Sequence, residues 1–170
     1  MSLVATVSIM GFTDFAATKP DKTVDEATLR AVIILKIIHL VNWPSSFDKE
    51  IHFCSAGNSK AILQLHRFQG KKITQENAQI RFLDDDSEEM CHIQILGANV
   101  PPEELLRKVA PLLVICDSCD NSGNIAAVEL VKDRDHIRFI LDPEKAQQNN
   151  IQFKVSLLEL AQSVKGHNGR

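Results

Sequence analysis

Four cysteines and six histidines are the residues of this chain whose types can do chemistry. Cys116-Asp117-Ser118-Cys119 is a CxxC at the end of an apolar run. In a thiol oxidoreductase such a pair sits at a helix N-terminus, which lowers the thiol pKa. Here the turn residues Asp120-Asn121-Ser122-Gly123-Asn124 follow, and nearby acids oppose a thiolate. A zinc site needs four ligands. Cys116 and Cys119 could supply two, with Cys54, Cys91, His52 or His92 adding more. Structural zinc normally uses two tight ligand pairs, whereas Cys54 and Cys91 stand singly. Disulfides are a third reading, Cys54 with Cys91 and Cys116 with Cys119. Four inert, buried thiols are the fourth.

The histidines His39, His52, His66, His92 and His136 are scattered, and none has a partner at metal-ligand spacing. No G-x-S-x-G elbow, G-x-G-x-x-G turn or phosphate-binding loop occurs, so the residues support neither acyl transfer nor nucleotide binding. The expectation is therefore no catalytic residue, no resident metal and no cofactor. Formal net charge is -3, and Lys71-Lys72 and Arg107-Lys108 are the only adjacent basic pairs. That excludes the broad basic surface that nucleic acid requires. The acidic run Asp84 to Asp86 with Glu88-Glu89 reads as a solvated loop.

The elements that must hold these residues follow from pattern. Residues 1–22 read as a leader or disordered tail, residues 23–166 as one domain and 167–170 as a tail. No stretch reaches the roughly 18 apolar residues of a spanning helix. Thr23-Val24-Asp25-Glu26 has the form of a capping box. The helix it opens is expected to run to about Asn42, before Trp43-Pro44. Its apolar positions lie nearly all round, so a surplus face is left for a partner or a second copy. Ile51 to Ser55, Ile80 to Leu83, Cys91 to Leu96 and Pro111 to Cys116 read as strands. Short helices are expected from about Ser59, Pro101 and Pro143. Asn124 to Val131 and His136 to Leu141 form a hairpin. Ile151 to Val155 is a further strand, and Ser156 opens a last helix that Gly166 ends. Strands alternating with helices give an α/β fold with a mixed, mostly parallel sheet.

Six blocks in this order resemble the YfiR-like family of small periplasmic bacterial proteins. They are Val41 to Pro44, Ile51 to Gly57, Cys91 to Leu96, Pro111 to Asp117, His136 to Leu141 and Val155 to Ala161. Gly70-Lys71-Lys72-Ile73 and Ser122-Gly123-Asn124-Ile125 match two intervening family steps, the second with one glycine fewer. The resemblance implies a Rossmann-like single domain, export to the periplasm and a homodimer. It implies a non-enzymatic protein that represses an inner-membrane diguanylate cyclase, lowering cyclic di-GMP signalling and biofilm output. An outer-membrane lipoprotein is the implied sequestering partner. Cys54 and Cys91 fall on family cysteine positions, whereas the Cys116/Cys119 spacing is tighter than the family's second pair. Expected contact residues lie on the first helix (Ile33, Ile37, Leu40, Trp43) and the C-terminal strands and helix (Phe139, Ile151, Phe153, Leu157). A metal- or small-molecule-sensing module built on the Cys/His cluster is the alternative, and a thiol oxidoreductase a third.

Overall fold

The computed structural model describes residues 24–44, 49–73, 77–100, 112–119 and 125–166. The expected leader, the helix at Pro101, the Ser122-Gly123-Asn124 step and the C-terminal tail lie outside the described residues. Four helices and nine strands are described, α1 (Glu26–His39), β1 (Val41–Asn42), β2 (Glu50–Ala56), α2 (Ile62–His66), β3 (Gln79–Phe82), β4 (Ile93–Leu96), β5 (Leu113–Asp117), β6 (Val128–Asp133), β7 (His136–Leu141), α3 (Pro143–Gln148), β8 (Gln152–Phe153), α4 (Val155–Leu160) and β9 (Ser163–Val164).

Seven strands form one sheet in the order β3-β2-β4-β5-β6-β7-β9. The first five are mutually parallel, β7 runs antiparallel to β6, and β9 runs parallel to β7. This is a Rossmann-like α/β domain with a mixed, mostly parallel sheet. β4 is buried at every position and β5 at four of five, as expected of strands covered on both faces. Ile34, Ile37 and Ile38 of α1 pack into the same core as Phe53, Ile93, Ile95, Leu113 and Ile115.

Three local expectations change. Asp25, not Thr23, is the N-cap of α1, and accepts from the Thr28 N–H at 2.9 Å. Glu26 is drawn away from the cap by Arg30, Lys60 and Lys132. α1 ends at His39, and Val41–Asn42 pairs antiparallel with β8. The Trp43 indole N–H then donates to the Ile38 carbonyl at 3.1 Å, a side-chain bond to an acceptor of the last turn. The last helix stops at Leu160 rather than near Gly166, because Ser163 and Val164 add a short edge strand beside Ile140 and Leu141.

The parallel strands follow the doubly wound order in which ligands sit where β2 and β4 diverge at their carboxyl ends. Here backbone occupies that crevice. The Asn58 N–H donates to the Ala98 carbonyl at 2.8 Å, and the Gly97 N–H donates to the Ala56 carbonyl at 2.8 Å. A Cβ on Gly97 would lie 2.0 Å from the Ser59 nitrogen, so only glycine lets the two loops touch. Gly97→Ala is expected to destabilise the domain by about 3 kcal/mol, the upper range for forced overpacking. A urea titration checks this, and an unchanged midpoint would contradict it.

Candidate functional site

α1 carries Arg30 at 2 % exposure on the stripe that also holds Ile34 and Ile37. Its guanidinium Nη1 meets the Asp117 carboxylate at 2.7 Å, and Asp117 itself is fully buried at the end of β5. The second Asp117 oxygen accepts from the Ser59 hydroxyl at 2.7 Å and from the Ala61 N–H at 2.8 Å. One carboxylate therefore holds helix α1, strand β5 and the entry to α2. Burying a lone carboxylate is costly, and three donors offset that cost.

Above this pair lies Glu26. It bonds Arg30 Nε at 2.9 Å, Lys60 at 3.1 Å and Lys132 at 2.7 Å. Lys132 foremost, then Lys60 and Arg30, hold the Glu26 carboxyl down to about 2. Each cation of the cluster, Arg30, Lys60 and Lys132, is paired with one of its two carboxylates, Glu26 or Asp117. Sequence reasoning missed it. The available signal was an arginine on an otherwise apolar helix stripe and an aspartate ending an apolar strand.

A second polar cluster sits at the opposite, amino ends of β2 and β4. His52 and His92 stack with ring centroids 4.8 Å apart, and the His52 N–H donates to His92 Nδ1 at 2.9 Å. Arg81 bonds Glu89 through both nitrogens at 3.0 and 2.9 Å and Glu50 at 3.3 Å. Its pKa is raised by these two carboxylates, Glu50 foremost. Among the described residues no group of three or more His, Cys, Asp or Glu is arranged to hold a metal ion.

Cys54 on β2 is joined to Cys91 just before β4, with Cα atoms 5.9 Å apart. Cys116 is joined to Cys119 across the end of β5, with Cα atoms 5.6 Å apart. No described cysteine is free, so none offers a thiolate to zinc or to a substrate. The cysteines thus act as staples, one within the sheet and one directly around Asp117.

The expected contact residues divide. Ile37, Ile151 and Leu157 are core residues at 0 %, 0 % and 1 % exposure, which corrects their assignment to a docking face. The stripe of α1 that holds Ile37 and the turn after α3 both face inward. Ile33, Leu40, Trp43, Phe139 and Phe153 are half-buried against that core. Val41 pairs with Phe153 across β1 and β8, so the end of α1 and the C-terminal region share one edge.

The profile of the YfiR/HmsC-like family matches residues 27–162, from the first turn of α1 to the residue before β9. The chain belongs to the YfiR/HmsC-like family. The family is one of periplasmic signalling regulators. No curated protein matches the chain. Among the described residues no helix is long and apolar enough to cross a membrane.

Two outcomes follow from this geometry. The Cys54–Cys91 link spans 37 positions and the Cys116–Cys119 link three. Chain-entropy reasoning makes loss of the first cost about 4 kcal/mol and of the second about 2 kcal/mol. Denaturant titration of the two paired Cys→Ser variants should reproduce that ranking, and the reverse ranking would contradict it. For Glu26, the folded pKa lies below its ordinary value of 4.5. Its stabilisation is then complete above the ordinary value and is lost as pH falls toward 2. Glu26→Gln should flatten the stability-against-pH curve in that window, and an unaltered slope would contradict the assignment.

Proposed function

We propose that this chain is a periplasmic repressor of an inner-membrane diguanylate cyclase. It binds the cyclase's periplasmic part and lowers cyclic di-GMP output and biofilm formation. The family match over residues 27–162 carries the reading. Two further observations support it. Paired cysteines suit an oxidising compartment. The crevice that binds ligands in doubly wound enzymes is occupied here by the chain's own backbone. The output of such a protein lies in its surfaces.

The half-buried residues Ile33, Leu40, Trp43, Phe139 and Phe153 are the proposed contact surface for the cyclase or for a second copy of the chain. Repression then works by preferring one conformation of the cyclase over the other, since a ligand shifts an equilibrium only through differential affinity. An outer-membrane lipoprotein that sequesters the chain would relieve it. The sensor reading finds less support, because all four thiols are spent in disulfides.

The test is a bacterium lacking its own repressor, carrying the cyclase and exporting this chain. Cyclic di-GMP measured by mass spectrometry should fall on expression. Ile33→Glu and Phe139→Asp should abolish the fall while circular dichroism shows folded protein. If the wild-type chain leaves cyclic di-GMP unchanged, the repressor reading fails. If both variants fold and still repress, the surface is wrong.

A further inference from the structure

A cavity of about 430 Å³ opens between α1 and the segment that follows α2, sharing only Leu40 with the proposed contact surface. Val32 and Leu35 of α1 form one wall, and Phe68 and Ile73 form the other. Ile80 of β3 closes the floor. The far wall is fixed rather than loose. The Gly70 N–H donates to the Ile80 carbonyl at 2.8 Å, the Ile80 N–H to the Lys71 carbonyl at 2.9 Å, and the Ile73 N–H to the Ala78 carbonyl at 3.0 Å. His39 Nδ1 lies 3.1 Å from the Ile73 carbonyl and spans the cavity's end.

The rim is cationic. Lys36, Lys71 and Lys72 line the mouth, and among the described residues no carboxylate lines the cavity. All three lysines are exposed and make no ion pair among the described residues. Lys60, Lys132, Lys145 and Lys165, by contrast, are each paired with a carboxylate. An apolar cavity with a few convergent charges at its mouth is the usual form of a small-ligand site.

We propose that this cavity binds a free anionic amphiphile, a carboxylate on an unbranched apolar chain. The chain lies between Val32, Leu35, Phe68 and Ile73, and the carboxylate is held at the mouth by Lys36, Lys71 and Lys72. Charge complementarity selects an acid over an alcohol or an amine of the same length.

The experiment titrates the purified, oxidised chain with decanoate below its micelle concentration, followed by calorimetry and amide NMR. Decanol and decyltrimethylammonium are the controls. Saturable binding of one decanoate is expected, with shifts confined to residues 32–40 and 68–80. Decanol should bind at least ten-fold more weakly, and the cation should not bind. Lys71→Glu/Lys72→Glu and, separately, Val32→Glu should each weaken decanoate at least ten-fold, since all three positions are exposed. Should the double variant unfold, Lys36→Glu carries the same expectation. Non-saturable binding, shifts elsewhere, equal affinity for decanol or indifference to charge reversal would each overturn the proposal. So would an amphipathic Leu/Glu peptide that occupies the cavity when decanoate does not.

Discussion

The buried contact between Arg30 and Asp117 is the constraint on which the rest of the structure depends. The two residues are 87 positions apart, and both are almost wholly removed from water. A buried ion pair earns little net stability against an apolar replacement, but breaking one partner leaves a charge stranded. Asp117 escapes that cost only if Arg30, Ser59 and Ala61 all reach it at once. The pair therefore fixes the rotation of α1 about its own axis. With Arg30 turned inward, Ile34, Ile37 and Ile38 follow into the core, and Val32, Lys36 and His39 face outward. The outward residues are those that line the apolar cavity.

The two disulfides act on the same framework. Cys54–Cys91 ties the start of β4 to the neighbouring β2, on the flank where the His52/His92 stack sits. Cys116–Cys119 tightens the chain immediately around Asp117, where Ser118 takes a positive φ of 66°. Between these staples the backbone bridge at Asn58 and Ala98 fills the crevice where this strand order elsewhere holds ligands. Each feature stiffens the sheet ends.

Much of this fold was legible in the residues because it rests on local pattern. The unbroken apolar run from Pro111 to Cys116 announces a strand covered on both faces, and β5 is one over Leu113–Asp117. The charged tip between Val131 and His136 announces a hairpin, and Asp142-Pro143 announces a helix start whose side chain accepts from Lys145. What was not legible rests on distant partners. Glu26 had the spacing of a capping box, but Arg30 of its own helix, Lys60 from the loop before α2 and Lys132 of β6 drew it elsewhere. Ser163 and Val164 continued a helical pattern, but an open edge beside β7 offered ladder hydrogen bonds instead. Ile37 looked like a surplus apolar residue, since sequence cannot say which side of a helix apolar all round meets the sheet, and Ile151 and Leu157 are buried by packing against elements distant in sequence. The orientation of α1 was decided by Asp117.

The most direct measurement is a double-mutant cycle on Arg30 and Asp117, with stability read from urea unfolding of Arg30→Met, Asp117→Asn and the double variant. If this contact orients α1, the single variants will each be strongly destabilised and the double variant will recover a large part of the loss. The coupling should then reach about 2 kcal/mol or more. Effects that add to within about 0.5 kcal/mol would show that the two residues act independently. The orientation of α1 would then have to arise from apolar packing alone.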